Sequence, residues 1–264
     1  MNILLTNDDG IGTAGIRSLY DVLSGANDVT VVAPSDDQSA VGRQLSRRVE
    51  LHEHELGYAV DGTPTDCVVA ALGALEMQPD LVVSGSNRGA NLGEYVLGRS
   101  GTVSAAVEAA FFGIPAIAVS VYIPAGDITF EEFEPEIEHF TEAARATKYL
   151  VDNATDDGVF TAADYLNVNA PLPGEEPARM EITEPSHVYQ MDAEREGETV
   201  TIYDRIWEHM ADGNVPDPPG TDRRAVVEGR ISVSPLMAPH TMTNNETLQR
   251  IVQAYGSRPD SNDR

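Results

Sequence analysis

Ile3-Leu4-Leu5-Thr6-Asn7-Asp8-Asp9-Gly10 opens the chain almost at its first residue, and its reading decides the fold. Four strand-like residues end abruptly in four residues of turn chemistry, two of them adjacent carboxylates. A helical pattern follows, with Ile16, Leu19, Tyr20 and Leu23 spaced for one face. Val29-Thr30-Val31-Val32-Ala33 then reads as a second strand stopped by Pro34, and strand, turn, helix, strand is the unit of a parallel sheet.

The same alternation continues. A polar loop over residues 35–46 precedes hairpin-like material over 49–60. Asp61-Gly62-Thr63-Pro64 turns into a helix whose Val68, Ala71, Leu72 and Leu75 share a face. Leu81-Val82-Val83 lacks alternation and so reads as a strand buried on both sides. Residues 102–112 predict a small-residue helix closed by Gly113, followed by a strand over 115–120. An amphipathic helix is expected over 131–151, with Phe133, Ile137, Phe140 and Ala144 inward and Pro135 tolerated in its first turn. Residues 166–169 read as the last core strand. The pattern predicts one α/β domain over residues 1–255, a doubly wound, mostly parallel sheet with helices on both faces. Its core spans about 1–170, and a strand-rich arm over 171–255, with runs at 199–205 and 226–233, suits packing on a neighbour better than forming its own core. Residues 256–264 read as a disordered tail.

Composition narrows the class. Against 43 Asp and Glu stand 17 Lys and Arg, a formal charge of −26, and Lys148 is the only lysine. Such a surface repels phosphate backbones at long range, so no nucleic-acid partner is expected. An acidic surface almost free of lysine suits high salt, where the carboxylate field is screened. The single Cys67 excludes an internal disulfide and a cysteine-rich metal site, and is expected in the core. With no long apolar run and no basic leader, no membrane association and a cytoplasmic location are expected.

Three segments carry chemistry. Asp8 and Asp9 follow the first strand, and doubly wound sheets bind ligands at the carboxyl ends of strands near the point where strand order reverses. Two neighbouring carboxylates there repel each other, which a hard divalent cation relieves; an Asx turn capping the next helix explains the tetrapeptide equally well. Ser39 sits in the loop after the second strand, as a candidate oxygen ligand or an ordinary loop serine, with Asp36 and Asp37 competing on charge. The loop 84–93 holds Asn87 and Asn91 among three glycines and leads to Ser100-Gly101-Thr102 at a helix start, where free N–H groups and the helix dipole form a phosphate cradle. It lacks the spacing of a dinucleotide fingerprint and the lysine of a P-loop. His52 and His54 read as surface residues, and Arg43, Arg47, Arg48 and Arg99 as candidates to orient a phosphate or base.

Taken together and in order, Asn7-Asp8-Asp9-Gly10, Gln38-Ser39, residues 61–68, 84–93, Ser100-Gly101-Thr102-Val103, 166–169 and Thr221-Asp222 resemble the SurE family of metal-dependent nucleotidases, over residues 1 to about 236. The resemblance implies a Rossmann-like fold and an arm used in dimer or tetramer packing. It also implies hydrolysis of nucleoside 5′-monophosphates, with the 3′ isomers as a further class, and one Mg²⁺ or Mn²⁺ per subunit. It maps metal ligands onto Asp8, Asp9, Ser39 and Asn87, and phosphate contacts onto Asn91, Ser100, Gly101 and Thr102, with Asp8, Asp9 and Asn91 in catalysis. Ser86 and Arg99 depart from the apolar and aromatic residues of the family pattern, and the acidic character resembles a haloarchaeal member. The competing reading is a nucleotide-binding regulator without turnover, against which the intact aspartate pair argues.

Overall fold

The computed structural model describes residues 1–124, 133–154, 158–238 and 246–256. Strands β1 (Asn2–Thr6), β2 (Asp28–Pro34), β3 (Leu51–His54), β4 (Gly57–Val60), β5 (Leu81–Arg88), β6 (Ala116–Tyr122), β7 (Tyr165–Pro171), β8 (Met180–Ile182) and β11 (Ile231–Leu236) form one sheet in the order β3-β4-β2-β1-β5-β6-β7-β11-β8. From β4 across to β7 every pairing is parallel, while β3 on β4 and β11 on β7 are antiparallel. The chain starts in the middle: β1 lies between β2 and β5, so strand order reverses there, and the carboxyl ends of β1 and β5 flank the crevice that this topology opens.

Period-two alternation assigns residues to the two faces. Ile3, Leu5, Val31, Ala33, Leu81 and Val83 point to one core, closed by α1 (Ala14–Leu23) and α5 (Thr141–Ala154). Leu4, Val32 and Val82 point to the other, closed by α2 (Pro64–Val69) and α4 (Gly101–Phe111). Ile3, Leu4 and Leu5 are all fully buried, each burial contributing about 1.5–3 kcal/mol. The second core is built from small residues, Ala116 and Ala118 on β6 against Ala105, Ala106 and Ala109 on α4, which brings the start of α4 close to the sheet. Cys67 is buried there as expected, and burial pushes its thiol up.

Three expectations are corrected. The helix predicted over 131–151 is a 3₁₀ turn over Ile137–Phe140 running into α5; Phe140 and Ala144 are buried, but Ile137 is exposed. Its residues 131 and 132 lie outside the described residues. Of the run 226–233 only the last three residues are strand: α7 (Asp222–Val227) is followed by Gly229, whose φ of +74° turns the chain, and β11 starts at Ile231. Nor is the chain after 171 without a core. β11 completes the main sheet, and α6 (Ile206–Ala211) and α7 bury Ile206, Met210, Val215 and Val226 against Ala90, Leu92 and Tyr122. Strands β9 (Met191–Glu196) and β10 (Thr199–Asp204) form a separate two-stranded hairpin, with Val200 and Ile202 exposed. The segment ends in α8 (Glu246–Gly256), and the remaining tail residues, 257–264, lie outside the described residues.

Helix α1 sits directly on the end of β5, where the pairing with β6 shifts register between Ser84 and Asn87. A Cβ on Gly15 would fall inside the contact distance of the Ser86 carbonyl oxygen and 3.2 Å from the Phe140 ring. Gly15→Ala sets a helix-propensity gain of at most about 1 kcal/mol against overpacking of about 1–3 kcal/mol. The variant is therefore expected to melt at lower temperature in a thermal scan in high salt; a higher Tm would show that α1 slides freely on the sheet.

Candidate active site

Thr6 ends β1 fully buried, and the turn after it is built by Asn7. Its side chain accepts from Gly10 N at 3.2 Å and donates to Gly10 O at 2.9 Å and Thr13 Oγ1 at 3.1 Å. The Asx turn read from the sequence is thus present, but Asn7 makes it. Asp8 and Asp9 are left for another purpose.

Asp8 is buried and turned toward the start of α4. Thr102 gives it both donors, its backbone N–H to Oδ2 at 3.1 Å and its hydroxyl to Oδ1 at 2.5 Å. Asp9 is half-buried and accepts from Arg88 N, at the end of β5, at 2.8 Å. Burial pushes both carboxyl groups well above the usual carboxylate range, and the neighbouring Asp8 charge adds to the rise at Asp9.

The loop after β2 is tied to the same place, with Gln38 N on the Asp8 carbonyl at 2.7 Å. Ser39 is exposed, and its N–H and hydroxyl both donate to Asp37 Oδ1, at 2.8 and 2.6 Å. Asn87 gives its amide nitrogen to Gly89 O, and Asn91 gives its own to Ser120 Oγ at 2.9 Å. With the nitrogens so anchored, both carboxamides keep Oδ1 unpaired among the described residues. The Asn91 backbone is gripped as well, by Asn169 Oδ1 on its N–H and by Asn167 and Asn169 on its carbonyl. Ser100 caps α4 through Val103 N.

A cavity of about 510 Å³ has Asp8, Ser39, Asn87, Asn91 and Ser100 among its lining residues. Asp9, Gly101 and Thr102 are adjacent to them in the chain without lining the cavity. Two neighbouring carboxylates, one buried and one half-buried, a hydroxyl and two carboxamide oxygens unpaired among the described residues form an all-oxygen donor set that fits a hard divalent cation. Thr102, mapped to phosphate by the resemblance, gives its hydroxyl and its N–H to Asp8 in this structure. Gly101 N–H, at the first position of α4, is the donor left there. Glu50, His52 and Asp61 form a separate exposed group outside the cavity, with His52 paired to Asp61 at 3.1 Å.

The rest of the lining, with Val96, Arg99, Tyr122, Ile123, Pro124 and Trp207, was not legible apart from Arg99. Equally hidden was the bracing of the glycine-rich loop from the distant end of the chain. Asp222 accepts from Gly93 N at 2.7 Å, Ser186 N at 3.0 Å and Arg223 N at 2.8 Å. The fully buried Arg223 guanidinium lies 5.2 Å over the Tyr95 ring and donates to Val188 O at 2.9 Å. Gly93, at φ +85°, is where a Cβ would strike that guanidinium. The only signal in the sequence was the Thr221-Asp222 pair.

Comparison with known proteins follows the same lines. The family model described as "Survival protein SurE" matches residues 3–192. A protein named 5′-nucleotidase SurE from Natronomonas pharaonis is 72% identical, covering 97% of this chain and all of that one. Another from Haloarcula marismortui is 63% identical over 96% of this chain and 94% of its own length. The crystal structure of the SurE protein from Aquifex aeolicus superposes with a TM-score of 0.75 at 31% identity, covering 97% of this chain and all of that one.

Two substitutions test the geometry. A Cβ on Gly101 would lie 2.9 Å from both Cβ and Oδ2 of Asp8, so Gly101→Ala is expected to displace the carboxylate and weaken Mn²⁺ binding at least tenfold by calorimetry. Unchanged affinity would mean that the aspartate has room to move. Asp222→Ala orphans the buried N–H groups of Gly93 and Ser186, at about 1–3 kcal/mol each, and a clear drop in Tm is expected; an unaltered melting curve would detach the arm from the loop.

Proposed function

The chain belongs to the SurE family, and from that premise we propose that the cavity hydrolyses nucleoside monophosphates with the help of one Mg²⁺ or Mn²⁺. Its activity class is 5′-nucleotidase, a phosphoric monoester hydrolase. The observation that carries the metal reading is the adjacent pair of buried Asp8 and half-buried Asp9 at the switch point of the sheet, beside donors that are all oxygen. Asp8, Asp9 and Ser39 hold the ion together with a carboxamide oxygen, from Asn87 on the family mapping; Asn91 offers the same atom type in the same cavity. When bound, such an ion supplies Lewis-acid withdrawal of charge from the phosphoryl oxygens and acidifies water.

The protein's own groups supply position. The N-terminus of α4 faces the phosphoryl group, with Gly101 N–H and the Ser100 hydroxyl as nearby donors and the helix dipole favouring negative charge. Thr102 keeps Asp8 from rotating, and the hydrogen bonds of Asn167, Asn169 and Ser120 keep Asn91 facing the cavity. In the reaction the oxygen of water bonds to phosphorus, the ester P–O bond breaks, and the nucleoside alcohol leaves with a proton. The 3′-monophosphates present the same group and belong to the same proposal. Exposed Ile182, Val200 and Ile202 after residue 171 support a homodimer or homotetramer built through this segment. Among the described residues no helix is long and apolar enough to cross a membrane.

The deciding assay is phosphate release from AMP in high salt with Mg²⁺ or Mn²⁺, with and without chelator. Turnover should require the ion, and Asp8→Asn should lose activity by a hundredfold or more, about 2.7 kcal/mol or above, with folding retained by circular dichroism. Nucleotide binding without turnover would favour the regulator; a fully active Asp8→Asn enzyme would remove the metal site from this place.

A further inference from the structure

The cavity is far larger than a phosphoryl group and an ion require; about 510 Å³ lies within the range of sites that enclose a whole small molecule. Its lining combines two chemistries. Besides the carboxylate and carboxamide side chains it includes Val96, Tyr122, Ile123, Pro124 and Trp207, with the exposed Arg99. Trp207 is the single tryptophan of the chain, and it is 39% exposed. Solvent contact for so large an apolar ring at a cavity wall is the state of a surface that a ligand covers.

Its placement is built. Trp207 lies on α6, and its neighbour Ile206, with Met210 one turn on, is buried in the cluster that includes Tyr122, Ala90 and Leu92. The cluster therefore fixes the indole relative to the end of β6 and to the glycine-rich loop that carries Asn87 and Asn91. Arg99 is steadied too, its guanidinium 5.3 Å over the Tyr95 ring. An indole, aliphatic side chains and a delocalised cation lining one cavity suit a flat, polarisable ring; they have little to offer a bare sugar or inorganic phosphate.

The geometry points to Trp207 as the residue that holds the nucleobase, by stacking, while the phosphate end lies at α4. This deepens the nucleotidase reading and rests on it for the substrate. The substrate class that follows is a base-bearing monophosphate rather than sugar phosphates in general, with the base contact contributed by the segment after residue 171.

Because the chain has one tryptophan, its fluorescence reports this contact independently of catalysis. With Mg²⁺ in high salt, AMP and adenosine are expected to quench it saturably, and ribose 5-phosphate to leave it unchanged. Trp207→Leu is expected to raise KM for AMP about tenfold, the scale of a lost base–aromatic stack, with kcat within about twofold and KM for ribose 5-phosphate unaltered; Trp207→Phe should recover most of the loss. Equal quenching by ribose 5-phosphate, no quenching by AMP, or a Leu variant that impairs both substrates alike would overturn the assignment. Quenching by AMP without turnover by any divalent ion would keep the base contact and remove the hydrolase.

Discussion

The carboxylate of Asp8, taken out of water and held by the hydroxyl and N–H of Thr102, is the contact around which the molecule is arranged. It joins the end of the first strand to the start of α4 across the point where strand order reverses. A buried charge beside a second carboxylate is unfavourable by itself, and burial pushes both groups toward their protonated forms. The sheet, the small-residue packing under α4 and the absence of a side chain at Gly101 all keep Asp8 against the start of α4. The frame is rigid because two apolar cores clamp β1 from both faces.

Around this contact the chain recruits distant segments. Asn167 and Asn169 on β7 hold Asn91, Ser120 on β6 holds its side chain, and Asp222 with Arg223 braces Gly93. Side-chain hydrogen bonds from distant elements thus hold the backbone of the glycine-rich segment at Asn91 and Gly93. A buried arginine in so acidic a chain is economical here, since it meets an aromatic face, a carbonyl and Asp217 at 3.4 Å rather than solvent. The acidic exterior, by contrast, takes part in none of this and concerns only the solvent.

Much of the frame was legible. The apolar runs at 3–6, 29–33 and 81–83 each became a core strand, because residues buried on both faces leave no alternation to misread. Asp8, Ser39, Asn87, Asn91 and Ser100 meet in one cavity, as their positions after strands and at a helix start suggested. Errors fell where local pattern and tertiary context disagree. Val226 and Val227 looked like strand but complete a helix ended by Gly229, since β-branched propensity yields to packing on the cluster of Ile206 and Met210. That Thr102 gives its hydroxyl and its N–H to Asp8 was visible only in the fold.

By itself the sequence determined the layering, the parallel core and the acidic, oxygen-rich chemistry at strand ends, because hydrophobic period and turn residues are local properties that folding preserves. Tertiary structure alone decided which hydroxyl meets which carboxylate, that the final third returns to brace the loop, and that Trp207 faces the cavity. Those contacts join residues from some 90 to 130 positions apart, and no local pattern encodes a partner at that separation.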